Sequence, residues 1–526
     1  MKIQFNNDTL WPPINPFLRN KMREHSVWYS GDSGLLRQYY STMVANKSLA
    51  PTYDKKFTFW GSPRSDEALT PIHVPIAGDI AETSSDLLFS EDPIITLVND
   101  SRKDNQVSQT AIQKMLDESK FYSKLSEGGE SAAAIGGVYL RLVWNAEVSE
   151  YPIPIIEQAD SAVPEFTFGI LSGVHFWDDV TLYILGGKDR GVDRYRLIES
   201  YQKDGSILTR LFKGNESKLG VEKPELMADK FPDIESIVTT GAGELLCTYV
   251  PNMLPNKYLR QSDIGRSDYA GVERLMDGLD STFSNWMKDI HLAQARVFGP
   301  EDYFRHKKDD GSIDDSFKIN ESFYIRMDID PLSEKNKLIM SQFDIRSDQF
   351  EKTALNYIER IVTSAGYSPQ SFGLNIAGRA ESGTALNIRE RKSMSTKAKK
   401  EKYWRPAIRK IVRLMQVLYA KELSGKDMDL DADINISFSD SLSTDLSETS
   451  KALQMLHAAA SASVETRVKI LNPTWNQKQI EEEAAKIMTE QGIMPTVENP
   501  DIKQIDDDKA DDEGNTNDLD KDKNII

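Results

Sequence analysis

Residues 267–298, SDYAGVERLMDGLDSTFSNWMKDIHLAQARVF, carry the pattern on which the fold turns. Val272, Met276, Leu279, Phe283, Trp286, Ile290, Ala293 and Val297 follow one another at alternating steps of four and three. That spacing places all eight on one stripe of a helix. Ser267 reads as the helix cap, and Gly299-Pro300 as its end. Periodicity alone leaves two uses open, a long core helix or a helix at an interface.

Downstream, 299–339 is polar, with a turn at Lys307-Lys308-Asp309-Asp310-Gly311 and a strand at Phe323–Met327. A second helix is predicted from about Asp348, where Glu351 completes a capping box. Its apolar face is Ala354, Leu355, Ile358, Ile361 and Val362, and Gly366 closes it. Tyr367–Gly383 reads as a loop. Thr384–Leu423 is helical, with a kink expected before Pro406. A short strand follows at Asp433–Ser439. Three helices fill Thr444–Gly492, with capped starts at Asp445/Glu448 and Thr474/Gln477. From Asp501 onward ten acids and four lysines surround no core residue, the composition of a disordered tail.

Upstream, the aromatic and Pro-rich first 60 residues read as loops and short helices. Ala77–Phe89 and Gln109–Glu127 read as helices. Val138–Leu140 and Leu142–Trp144 suggest a strand, and Tyr195–Gln202 and Ser206–Phe212 a hairpin about Asp204-Gly205. The fold class is therefore α+β and predominantly helical.

The 526 residues exceed one compact core. No stretch approaches the roughly eighteen apolar residues of a membrane span, and Met1–Leu10 has no apolar signal core. The single cysteine, Cys247, excludes an internal disulfide and a cysteine-based zinc site. Synthesis in a reducing cytoplasm fits these features. The net charge of −18 argues against a protein that grips nucleic acid over its whole surface. It suits a surface that lets DNA slide, and equally an ordinary acidic protein.

Catalytic motifs are weak. Gly186-Gly187-Lys188 and Gly241-Ala242-Gly243 lack the remaining glycines of a phosphate loop. The six histidines show no HExxH spacing, and no GxSxG elbow occurs. Asp427, Asp429, Asp431 and Asp433 alternate with Met428, Leu430 and Ala432, which would put four acids on one face of an extended segment. They could hold a divalent cation or guard a sheet edge. Asp328 and Asp330 are a weaker pair. No catalytic residue, metal ligand or cofactor is assigned. Eleven Lys or Arg between Arg389 and Arg413 stand against Glu390 and Glu401 alone. Lys392, Lys397, Lys399 and Lys400 are the candidates there for contact with DNA phosphate or an acidic neighbouring subunit.

Several stretches resemble the portal proteins of tailed double-stranded-DNA bacteriophages, siphophage type. They are WYSGD (28–32), HVPIAGDIAETSSDLLFSEDP (73–93), GYSPQSFG (366–373), ESGTAL (381–386) and RERKS (389–393). The order of parts is similar over nearly the whole chain. The resemblance implies an elongated subunit in a ring of typically twelve around a DNA channel at one capsid vertex of the virion. It implies a wing (1–265, joined by the kinked helix and strand of 384–440), a first stem helix (266–298), a clip (299–339), a second stem helix (340–366), a tunnel loop (367–383) and a crown (441–492). The 493–526 tail has no counterpart. In this scheme Val272, Met276, Leu279, Phe283, Trp286 and Ile290 form the stem seam between subunits. Gln370, Asn375 and Arg379 face the DNA channel. Tyr303, Phe304, Lys307 and Lys308 dock the terminase large subunit and later the head–tail connector protein. Capsid and scaffolding proteins are further partners, and no membrane is involved. Two other readings are a metal-dependent nucleic-acid-processing enzyme and a structural adaptor without a channel.

Overall fold

A computed structural model describes residues 5–45, 59–61, 71–98, 106–145, 147–187, 191, 193–293, 296–300, 306–307, 313–314, 324–327, 339–341, 344–374, 383–422, 428–438, 446–459, 461–472, 475 and 477–492. Two compact units divide the chain, Met1–Leu442 and Ser443–Ile526.

The first unit opens with helices α1 (Pro16–Ser30), α2 (Ser33–Ala45) and α3 (Ile76–Phe89), then strand β1 (Ile94–Val98) and helices α4 (Gln106–Glu118) and α5 (Phe121–Ile135). Strands β2 (Gly137–Val143), β3 (Ile153–Gln158), β4 (Ala162–Thr167) and β5 (Ile170–Asp179) lead to the short α6 (Thr181–Ile184). Strands β6 (Arg194–Tyr201), β7 (Ser206–Gly214) and β8 (Val221–Glu222), helix α7 (Pro224–Lys230) and strands β9 (Ile237–Thr239) and β10 (Cys247–Pro251) complete the mixed region. Next come α8 (Glu273–Leu292), β11 (Arg296–Pro300), β12 (His306–Lys307), β13 (Ile313–Asp314), β14 (Tyr324–Met327), β15 (Ile339–Ser341) and α9 (Ser347–Ala365). A 3₁₀ turn (Pro369–Phe372), α10 (Gly383–Glu422) and β16 (Asp433–Ser437) close the unit. The second unit holds α11 (Leu446–Ala458), α12 (Val464–Leu471) and α13 (Gln477–Glu490). The chain is thus α+β and mainly helical.

The strands form small sheets in the orders β10-β2-β3, β4-β5-β6-β7-β8 with β9 on β7, β1-β16, β14-β11-β15 and β12-β13. Arg141 on β2 reaches Glu157 on β3 (2.7 Å) and Glu199 on β6, joining the first two sheets. Helix α10 lies against β2, β10, β16 and α3. Its Trp404, Ile408, Ile411, Met415 and Leu418 are buried at steps of four and three, so this helix has a heptad stripe spent on the core of its own chain. Each such side chain contributes about 1.5–3 kcal/mol.

Several expectations change. Gln109–Glu127 is two helices, α4 and α5, broken where Lys120 turns through φ 55°. Residues 16–45 form two full helices, and Trp28-Tyr29 lies inside the first. The helix of the opening stretch is shorter than the periodicity predicted. Ser267 does not cap it, because Gly271 (φ 96°) turns the chain in between, and the buried hydroxyl donates to the Ala133 carbonyl at 3.1 Å. At the far end α8 stops before Ala293, and Val297 and Gly299-Pro300 lie on β11, paired to β14 and β15. Glu351 makes no capping box, since Arg346 precedes α9 without a side-chain cap. Helix α10 runs as one element of 40 residues through Pro406. That proline is on the exposed face, where water can satisfy the carbonyl it leaves free. Ser463 caps α12 by accepting from Thr466 N (3.1 Å), a cap the sequence reading passed over. The starts at Asp445 and Thr474, and the tail from Asp501, lie outside the described residues.

Candidate functional site

Helices α8 and α9 pair in antiparallel register. Close approaches occur at three levels. A Cβ on Gly278 would come within 3.0 Å of the Tyr357 ring, so a larger residue there would need the ring to give by a few tenths of an ångström. Trp286 stacks on Phe350 with centroids 6.1 Å apart and planes 8° from parallel. Arg346 grips Asp289 with two N–H bonds of 2.8 and 3.0 Å. Between the two helices the chain makes the β excursion of β11–β15. The seam divides along this pair. Val272, Met276 and Leu279 are buried in a core with Ala354, Ile361 and Val362 of α9. They are therefore spent inside the subunit and unavailable to a neighbour. Phe283 and Trp286 are half-buried, and Ile290 is 39% exposed.

Beside the seam runs a second stripe with the same spacing, Glu273, Asp277, Asp280 and Ser284, and all four residues are buried. Glu273 accepts from Tyr258 OH (2.5 Å) and Gly271 N (2.9 Å) and lies within 3.2 Å of Lys21 and 3.1 Å of His25. Burial pushes its carboxyl up, but His25, Lys21 and Tyr258 outweigh that and hold it well below the usual carboxylate range. The other three seize a strap of upstream chain. Asp277 accepts from the N–H groups of Phe59 (2.7 Å) and Trp60 (3.2 Å). Asp280 accepts from Trp60 Nε1 (2.9 Å) and Val74 N (2.9 Å) and lies 2.8 Å from His73 Nδ1. Ser284 Oγ accepts from Ile72 N (2.9 Å).

Burial, with Asp280 close by, pushes the Asp277 carboxyl up to about 6. An unfolded aspartate titrates near 3.9, so the folded state binds this proton more tightly. The contribution of Asp277 therefore grows as pH falls from 7 through about 6 and levels off below about 4. Denaturant midpoints across that window are expected to show a gain of up to about 3 kcal/mol. Asp277→Asn should remove that component of the pH dependence.

The basic run is largely consumed by the fold, which corrects its reading as a free cationic face. Lys400 is fully buried, with Nζ 2.5 Å from Asp268 Oδ2, 2.6 Å from Ser84 Oγ and 3.0 Å from Tyr367 OH. Tyr367 OH also donates to Asp268 Oδ2 (2.6 Å), and Asn252 Nδ2 to Oδ1 (2.8 Å). Burial lowers the lysine pKa, and Asp268 opposes the shift in part. Lys397 is buried as well. Lys392 is exposed and donates to the Thr363 carbonyl. Arg405, Arg409 and Arg413 stand one turn apart and donate to the carbonyls of Ile436 (2.5 Å), Ile434 (2.8 Å) and Leu430. They cover the edge of β16 that β1 leaves open. Lys410 donates to the Cys247 carbonyl at 2.9 Å. Arg391, Lys399 and Lys402 remain exposed.

Of the channel candidates, Gln370 sits in the 3₁₀ turn, with Oε1 enclosed and unpartnered among the described residues. Asn375 and Arg379 lie outside the described residues. The start of the expected loop, Tyr367-Ser368, is buried, because Tyr367 belongs to the Lys400 network and Ser368 N donates to Ser393 Oγ (2.8 Å). Of the docking candidates, Lys307 is on β12, paired with Ile313, while Tyr303, Phe304 and Lys308 lie outside the described residues. The alternating acids do not share one extended face. Asp429 and Asp431 lie in irregular chain before the strand, where Asp431 N donates to Asp429 Oδ1 (3.0 Å), and of the described acids only Asp433 enters β16. Asp427 is outside the described residues, among which no cluster of three potential metal ligands occurs. Burial pushes the Cys247 thiol up, which suppresses its reactivity. Among the described residues no helix is long and apolar enough to cross a membrane.

Sequence reasoning missed Asp268 and the buried stripe. The only available signal was the 4-3-4 spacing of Glu273, Asp277, Asp280 and Ser284 parallel to the seam.

No curated protein matches the chain. Among solved structures, one titled as the neck of an empty GTA particle computed with C6 symmetry is similar over 76% of this chain and 90% of its own, at 12% identity and TM-score 0.38. A second, from the virion of a native gene transfer agent particle, covers 89% and 96% at 11% identity and TM-score 0.37. A third, the neck of a native GTA particle computed with C12 symmetry, covers 76% and 89% at 10% identity and TM-score 0.36. The family described as phage portal protein, SPP1 Gp6-like, matches residues 233–492. That span contains the α8–α9 pair, the β excursion and the whole of α10, and over it the chain matches the SPP1 Gp6-like phage portal protein family.

Proposed function

We infer that this chain is a portal subunit of a phage particle: one of about twelve copies in a cyclic ring at a capsid vertex, through which double-stranded DNA enters and leaves. The observation that carries this reading is the family match over residues 233–492, within which α8, β11–β15, α9 and α10 follow in the order the resemblance implies. The family is structural, and we assign the chain no catalysis. The β excursion between α8 and α9 would dock the terminase large subunit and then the head–tail connector. Gln370, Asn375 and Arg379 would border the channel. The exposed Arg391, Lys399 and Lys402 are left for an acidic neighbour or for DNA phosphate, while Phe283, Trp286 and Ile290 remain for contact between copies.

Light scattering on the purified chain, with negative-stain images of the same peak, tests the reading. A ring should weigh about twelve times the 59.4 kDa subunit and show a central hole, as closed cyclic symmetry requires. A compact dimer or tetramer without a hole would refute it.

A further inference from the structure

The hairpin β4–β5 ends in a two-residue loop, Phe168-Gly169, between the paired Thr167 and Ile170. Both loop residues have positive φ, 53° and 79°. That is the primed turn of a tight hairpin, a conformation suited to Asn-Gly and unfavourable for an aromatic side chain. Phe168 is nevertheless fully exposed, and Ile170 beside it is 71% exposed. The subunit alone thus carries backbone strain and bare apolar surface at one point and gains no packing there. The root of the hairpin is fixed, since Phe166 meets Tyr249 edge-on at 5.7 Å. The tip is a firmly mounted apolar knob. Strain of this kind persists where a contact made by the side chain compensates for it.

We propose that Phe168, flanked by Ile170, inserts into an apolar socket on a second copy of this chain. A phenylalanine offers on the order of 150–250 Å², whereas a stable interface needs upwards of about 1,000 Å². The knob cannot hold a partner by itself and has to be part of a larger contact. Repetition around a ring supplies one, with the knob on one face and the socket on another in a head-to-tail arrangement. The inference rests on the ring reading above and adds a named contact to it.

The test places the photo-crosslinker p-benzoylphenylalanine at position 168 of the full chain, beside Phe168→Asn. Asn-Gly satisfies the turn without the knob. Irradiation should give a two-chain product whose second attachment point maps to this same sequence. Phe168→Asn should keep the native thermal midpoint or raise it, yet dissociate on dilution at a subunit concentration at least about ten-fold higher than the parent. If the parent forms rings but position 168 couples to no second copy, or couples to another virion protein, the knob assignment is overturned and the ring stands. Rings of Phe168→Asn as resistant to dilution as the parent overturn it equally. A parent chain that stays monomeric in light scattering removes both.

Discussion

Lys400→Met is expected to lower stability by about 3–5 kcal/mol, more than any change on the exposed side of the same helix. The side chain is 2% exposed and its partner Asp268 1%. Removing the ammonium leaves a carboxylate in the protein interior facing, among the described residues, the Tyr367 OH and Asn252 Nδ2 donors. The loss is therefore dominated by the stranded charge and only slightly by missing packing, because methionine nearly fills the lysine stem. It follows that Lys400→Met combined with Asp268→Asn should recover most of the loss, a coupling that a double-mutant cycle reads directly. Lys399→Glu, one residue earlier and exposed, should change stability by less than about 0.5 kcal/mol. Urea midpoints of the four variants check all of this. A Lys400→Met chain within about 1 kcal/mol of the parent would mean that water reaches the pair. The same geometry explains why charge reversal across Lys397, Lys399 and Lys400 is a poor probe of DNA contact: two of the three would fail by unfolding the subunit.

What the sequence made legible was what short range decides. The hairpin at Asp204-Gly205 was readable because its chemistry lies within two residues: Asp204 Oδ1 accepts from Ser206 N (3.0 Å), and Gly205 supplies φ 84°. The α8 seam was readable as a helix for the same reason. Its direction was not readable. A buried face and a solvated face can both carry Asp and Ser at steps of four and three, and the partners of Asp277, Asp280 and Ser284 lie 206–220 residues upstream. The arginines of α10 show the same limit. Their acceptors are main-chain carbonyls, which have no sequence signature, so three structural cations read as a free basic face. The portal resemblance supplies an order of parts, and an order of parts carries no side-chain roles. It could not say that Val272, Met276 and Leu279, three of the six expected seam residues, are buried within one subunit.

Asp280→Ala should cost about 3–5 kcal/mol, and the loss should be local before it is global. Asp280 is wholly buried on α8, and its two oxygens take the Trp60 indole N–H, the Val74 amide and the contact with His73 Nδ1. Each donor abandoned in the interior costs about 1–3 kcal/mol, and the alanine cannot be reached by water as a substitute. Asp280→Asn keeps the shape and removes the charge. Its one acceptor oxygen can still serve Val74, but its NH₂ would then face the Trp60 indole N–H, which can only donate, so it should lose about half of what alanine loses. Ser284→Ala, which frees the Ile72 amide and removes the hydroxyl's own bonds to the Ile72 and Asp280 carbonyls, should cost about 1 kcal/mol. Hydrogen exchange separates this account from simple cavity formation. If Asp280 works by holding the strap, the amides of Trp60, Ile72 and Val74 should exchange faster while Ala354 and Ile361 across the seam keep their protection. Uniform loss of protection along α8 and α9 would instead assign Asp280 to the helix pair itself. The strap is the only described link by which residues 59–61 and 71–74 reach the matched region through buried carboxylates, so its release would leave α8 paired to α9 but uncoupled from that upstream chain.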